Sequence, residues 1–167
     1  MLRIIQNTNR SRAKSYFSKA DYYLEGQEQE LLGIWRGEGA KRLGLSGQVQ
    51  KGEWDALCDN RHPVTGLALT PRRKTERSVG YDFNFHVPKS VSLLYGLTKD
   101  DRILDAFRDS VNETMHDIER EMKTRVRAKG KNEDRTTGNM VWAEHIHKTA
   151  RPVTGDSSSA VDNFRCG

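Results

Sequence analysis

The chain has 167 residues, 35% of them hydrophobic and 31% charged, which is enough apolar material for the core of one domain. No stretch reaches the roughly 18 apolar residues needed to cross a bilayer, and the start, MLRIIQNTNRSR, has neither an apolar h-region nor a small-residue cleavage site, so no secretory signal is read. The formal net charge of +5 favours polyanionic partners, nucleic acid above all, and Cys58 and Cys166, far apart and without a partner pattern, read as reduced thiols of a cytoplasmic protein.

No internal repeat recurs along the chain. Leu2–Gln6 reads as a short strand. A helix is predicted over Ser11–Ala20, with KADYYLEG continuing or following it to a stop at Gly26. GIWRGEGAKRLGLSGQV is punctuated by glycine and predicts a turn, a short helix around Ala40–Leu43 and another turn. Glu53–Cys58 reads as one more short helix, and RHPVTG as a turn. Further on, Tyr81, Phe83 and Phe85 alternate with Asp82, Asn84 and His86, a period of two that gives a strand one aromatic and one polar face. Pro88 ends that strand, and KSVSLLYGL predicts a helix packed through Val91, Leu94 and Tyr95.

Thr98 with Asp101 three residues on predicts a capped helix start. Ile103, Phe107, Val111, Met115, Ile118, Met122 and Val126 then recur at helical spacing, with acids at the start and Arg125 and Arg127 at the end, as the helix dipole favours. After a polar loop, GKNEDRTTG, Met140–Lys148 reads as a strand. Strands, then helices, then a strand predict an α+β fold with an antiparallel sheet covered by helices on one side. The basic runs PRRKTER and KTRVRAKGK lie beside expected turns, where they serve either as solvated surface or as phosphate contacts.

On the last strand Val141, Ala143, His145 and His147 share one face. Such a His-x-His pair either presents two imidazoles to one ion or is two ordinary histidines. Asp82, at the centre of its strand, is costly to bury without a partner. If its strand pairs with the last one, it can reach and orient a histidine; otherwise its face is simply wet. SYFSKADYY sets Tyr16 and Tyr22 six apart, suited to helix packing or to nucleophilic attack. A phenol with an ordinary pKa of about 10 attacks a phosphodiester only with a base for its proton and a cation on the phosphate.

Taken together, SYFSKADYY, WRGEGAKRLGLSG, GYDFNFHVPKSVSLLY and RTTGNMVWAEHIHKTARPV resemble, in order and spacing, the N-terminal relaxase domain of the MobF/TrwC family of conjugative relaxases, which are HUH endonucleases. The likeness runs from Met1 to about Val153. It implies an HUH/relaxase-like fold incomplete at its C-terminus: a partial relaxase domain over residues 1–155 and a divergent, disordered tail over 156–167. It also implies attack by a tyrosine on the scissile phosphate of single-stranded origin-of-transfer DNA, leaving a 5′-phosphotyrosine link and a free 3′-hydroxyl. By the same resemblance the first nucleophile falls on Tyr16, the second on Tyr22, and the supporting aspartate on Asp82. Lys89 and Ser90 lie in the matching PKSVS motif, whose helix start suits phosphate. His147 in HKTAR matches a metal histidine and Arg151 the family arginine, while His145 matches a non-ligand position. The implied cofactor is a divalent ion, magnesium or manganese, and the implied partners are the DNA and relaxosome proteins, with no membrane insertion.

The family continues with an acidic-Pro-x-Leu-His-x-His segment on the central strand, which supplies two more ligands. After Gly155 this chain reads DSSSAVDNFRCG, without a histidine, as after a frameshift or a premature stop. The metal set is therefore expected to be short of two ligands and the chain alone to nick little or not at all. The strands beside a missing central strand should keep unpaired backbone groups. The alternative is a non-catalytic remnant that binds single-stranded or hairpin DNA.

Overall fold

In the computed structural model, which describes residues 1–21, 30–70, 78–128, 131–147 and 165–166, the elements run β1 (Leu2–Asn7), α1 (Arg10–Asp21), β2 (Glu30–Arg36), α2 (Glu38–Arg42), α3 (Lys51–Cys58), β3 (Gly80–His86), α4 (Lys89–Thr98), α5 (Asp101–Arg120), β4 (Lys123–Ala128), β5 (Lys131–Thr136), β6 (Trp142–His147) and β7 (Arg165–Cys166). Five strands form one antiparallel sheet in the order β1-β3-β7-β6-β2, and β4 and β5 pair as a separate ribbon. The α+β class stands. Of the tail expected to be disordered, Arg165–Cys166 joins the sheet; the rest lies outside the described residues.

Alternation along the strands decides what each face of the sheet does. On one face Phe83, Phe85, Trp142 and Ile146 meet Tyr95 of α4 and Leu104, Val111 and Met115 of α5. Each large side chain buried there contributes about 1.5–3 kcal/mol. On the other face Val141 and Ala143 meet Trp35, Ala40, Leu45 and Val49, with Trp54 and Leu57 of α3 packed against them. Helices therefore lie on both faces, not on one. The polar face of β3 is not simply wet either, since Asn84 is 1% exposed.

Two other expectations are corrected. GIWR, read as a turn because of its glycines, is the end of β2. The expected long helix stops at Arg120, and the run Lys123–Ala128 turns into the ribbon with KNEDRT as its second strand. The capping residue of α5 is Asp100, whose carboxylate accepts from the Arg102 amide at 3.1 Å; Thr98 is the last residue of α4.

Two buried carboxylates tie these parts together. Glu144 of β6, on the α5 face, accepts from Arg36 Nε at 2.9 Å and Arg108 Nε at 3.2 Å, linking β2 and α5 through the strand between them. Glu119 of α5 accepts from the backbone N–H of Glu38 at 2.8 Å and of Met140 at 2.9 Å, fixing the start of α2 and the approach to β6.

Candidate functional site

The face of the sheet opposite α5 carries Asp82, Asn84 and His145. Helix α1 begins where β1 ends. The side chain of Asn9 caps it, accepting from the Arg12 amide at 3.0 Å, and Asn7 Oδ1 accepts from the Asn9 amide at 3.0 Å. One turn in, the buried Ala13 accepts from the indole N–H of Trp54 at 2.9 Å, and Lys14 pairs with Asp59 at 2.7 Å. Trp54 stacks on Trp35 with ring centroids 6.2 Å apart, and Trp35 shares its face of the sheet with Ala143. These contacts hold α1, with Tyr16 on its second turn, against α3, the helix packed on the sheet face of Val141 and Ala143.

The ion pair with Asp59, through its hydrogen bond, raises the Lys14 pKa above the ordinary lysine value. A raised folded pKa contributes stability that is fully present below the unfolded pKa and lost as pH rises through the folded one. The α1–α3 link should therefore hold through neutral pH and loosen only above the ordinary lysine range. Amide exchange in α1, corrected for the intrinsic rate at each pH, should accelerate there in the natural chain and stay level in Lys14→Met. Both partners are partly exposed, so the effect is small.

The register fixes the spacing of the other residues. His86, Arg165 and His147 occupy one cross-strand row, as do Phe85, Cys166 and Ile146. Asp82 and His147 thus share a face but lie two strands and four residues apart, roughly 16 Å between backbones at ordinary sheet spacings. Their strands do not pair directly, because β7 stands between them. Asp82 is half-buried and faces Ile5 of β1. His145 is nearer to it, at roughly 12 Å by the same spacings.

Lys89 and Ser90 are exposed and open α4, three and four residues beyond His86. For Tyr16 and His147 the description is of the backbone alone, and Tyr22 and Arg151 lie outside the described residues. Among the described residues no three His, Cys, Asp or Glu side chains converge as a metal set would. No described helix is long and apolar enough to cross a membrane.

Sequence reasoning missed one contact here. His145, 6% exposed, lies with its ring on Gly33 of β2, where the pairing with β6 shifts register between Leu31 and Ile34. A Cβ built on Gly33 would meet the ring, 2.7 Å from Nε2 and 3.0 Å from Nδ1 and closer still to Cε1. The glycine is there for close approach, not for a turn. Its position inside an otherwise apolar run, LLGIW, was the available signal.

Comparison with known proteins agrees with this architecture. Two forms of the multifunctional conjugation protein TraI of Escherichia coli are 35% identical, one over 143 residues and the other, from strain K12, over 153. These matches cover 83% and 90% of this chain but 8% of either relative. Among solved structures, the metal-bound conjugative relaxase TrwC in complex with OriT DNA superposes with a TM-score of 0.76 at 28% identity, covering 99% of this chain and 56% of that one. TrwC complexed with a 27-mer DNA comprising the recognition hairpin and the cleavage site gives 0.74 at 26% identity, over 99% and 54%. The chain thus spans about half the length of the solved relatives. The sequence model of the TrwC relaxase family matches residues 10–158, and the chain belongs to that family.

Proposed function

We propose that this chain is the N-terminal part of a cytoplasmic conjugative relaxase, a domain that grips single-stranded origin-of-transfer DNA and the hairpin beside it. The observation that carries this reading is the family match over residues 10–158, on a fold shared with relaxases solved on OriT DNA. In this reading the Tyr16 phenol oxygen attacks the scissile phosphorus and the bond to the 3′-oxygen breaks. The protein is left on the 5′-phosphate, and the phenol proton passes to a base, for which Asp82 is the candidate. Tyr22 would perform a second transfer. Lys89 and Ser90, with the first-turn amides of α4, and Arg151 would hold phosphates.

A divalent ion, magnesium or manganese, belongs to the family chemistry, with His147 as one donor. The described side chains do not complete a site for it: His145 is packed on Gly33, and no other cluster of donors forms. No step is therefore routed through an ion, and the chain on its own is expected to bind DNA without nicking it. Binding falls to basic surface. The ribbon β4–β5 carries six cationic and two acidic residues between Lys123 and Thr136. Lys123, Arg125 and Arg127 stand at alternate positions of β4, and a two-stranded ribbon of this kind fits a major groove.

The test uses a labelled oligonucleotide that contains a recognition hairpin and nick site, with and without manganese. Retention should fall steeply with salt, as phosphate neutralisation requires, and should be the same for the natural chain and Tyr16→Phe. No denaturation-resistant adduct should form. An adduct that needs both Tyr16 and manganese would overturn the inactive reading, and salt-insensitive or absent binding would overturn the DNA-binding one.

A further inference from the structure

A charged cluster lies on the α5 side of the sheet, at the rim formed by β2. Its centre is Glu144 of β6, whose side chain is 3% exposed. Ile34 of β2 stands directly across from Glu144 and Arg36 across from Trp142, so the Arg36 side chain reaches the carboxylate on the diagonal. Arg108 comes to the same carboxylate from α5. The two bonds use different oxygens: Arg36 Nε donates to Oε2 at 2.9 Å, and Arg108 Nε donates to Oε1 at 3.2 Å.

Two features exceed what holding the fold requires. One is charge: a single carboxylate faces two guanidiniums, which leaves the cluster net positive. The other is unspent donors. Each guanidinium meets Glu144 through Nε, and among the described residues its Nη atoms have no acceptor. Most of each donor fork is therefore still available. Solvent reaches both forks, since the side chains of Arg36 and Arg108 are 38% and 28% exposed. The buried carboxylate holds them in place, much as a carboxylate behind a metal-bound histidine orients the ring. Holding them in advance lowers the ordering cost of a further contact.

We propose that Arg36 and Arg108 form a phosphate-binding site, with Glu144 as the positioning residue behind them. The two Nε atoms lie within about 8 Å of each other, the length of two hydrogen bonds and the width of a carboxylate. One phosphate with a hydrogen bond on either side spans much the same distance. A planar carboxylate ligand would meet one fork edge to edge. A tetrahedral phosphate presents oxygens in several planes, so it can accept from two forks that approach from different elements. The phosphate belongs either to a nucleic-acid strand or to a free anion. A strand phosphate here would be a holding contact and no part of bond cleavage, because Asp82 and His145 belong to the opposite face. Only the strand source rests on the DNA reading above; the anion chemistry stands on the cluster.

The test follows the arginine Nε–H signals of the isotope-labelled 167-residue chain by NMR. Sodium phosphate replaces sodium chloride at constant ionic strength and pH. The Arg36 and Arg108 signals should shift together and saturate, with a Kd of about 1–10 mM. Arg36→Lys and Arg108→Lys keep the charge but lose the fork, and each should weaken binding at least about fivefold. Glu144→Gln makes the cluster more positive but withdraws one of its two acceptors, so it too should weaken binding. Tighter binding in that variant would mean that diffuse charge, and not a positioned pair, attracts the anion, and would overturn the proposal. So would the absence of saturation in the natural chain. A single-stranded oligonucleotide then separates the sources. If the site takes a strand phosphate, oligonucleotide affinity at fixed salt should fall at least about threefold in Arg108→Lys. If it takes a free phosphate, that affinity should stay unchanged while the phosphate titration still depends on both arginines. A natural chain that binds no oligonucleotide would sink the DNA reading alone, since the phosphate titration decides the site by itself.

Discussion

Replacing Glu119 with alanine should lower stability by about 2–4 kcal/mol, because two part-buried backbone donors lose their acceptor at about 1 kcal/mol or more each and the buried side chain leaves a cavity. For a chain of this length the melting temperature should drop by roughly 5–15 °C. The reason is positional. Glu119 is 3% exposed, and the same carboxylate oxygen takes the N–H of Glu38 and of Met140. The Gly39 amide in turn donates to the Met140 carbonyl at 3.0 Å, so the start of α2 and the lead into β6 are latched to each other as well as to α5. Glu119→Gln is the discriminating control. Its amide oxygen can occupy the same point and accept both bonds, so its loss should be about 1–2 kcal/mol, the charge-assisted part alone. Equal losses in the two variants would show that charge, and not the paired acceptance, is what matters. Exchange at the Glu38 and Met140 amides should quicken in the alanine variant before the rest of the sheet opens.

A second large effect is expected at Gly33. Gly33→Ala should destabilise by about 1–3 kcal/mol through overpacking, and Gly33→Val by more, because the new carbon meets the His145 ring. The neighbour that must yield is buried at 6% exposure, so it cannot swing into solvent without opening β6. A double-mutant cycle checks the mechanism. His145→Ala by itself removes a packed ring and costs about 2–4 kcal/mol. The pair Gly33→Ala with His145→Ala should cost less than the two single losses added, by about 1–2 kcal/mol. Simple additivity would mean that the glycine serves the backbone of β2 and not the ring above it.

The same residues show what could be read from the sequence and what could not. The alternation at Tyr81–His86 predicted β3 and both its faces, because period two is local and Pro88 marks the end. The helical spacing from Ile103 to Ile118 predicted the buried face of α5 for the same reason. Met122 and Val126 extended that spacing by coincidence, while KTRVRA carried an equally good period-two pattern that turned out to be a strand. Two periodicities fitted one stretch, and the tertiary context decided between them. β2 is hidden from any local pattern because glycine ordinarily breaks a strand, and only His145, more than a hundred residues away, explains why Gly33 sits in one.

For the candidate site, strand periodicity placed Asp82 on a polar face and His147 on one face of its own strand. That the two faces are the same, and that a strand position separates them, depends on sheet order, which no local pattern encodes. The roles assigned to Tyr16, Tyr22, Asp82, His147, Lys89, Ser90 and Arg151 accordingly rest on family resemblance more than on geometry.

Sheet order also bears on how such a chain is made. β1 pairs with a strand some eighty residues later, and β2 with one more than a hundred residues later. Pairings that remote make folding slow. A ribosome that has finished α1 and β2 has produced an apolar strand whose mate is not yet translated. Until β6 leaves the exit tunnel, LLGIW must be shielded by a chaperone or by transient non-native contacts. Slowing translation between Cys58 and Trp142 should therefore raise the aggregated fraction, while the same delay placed before Glu30 should leave it unchanged.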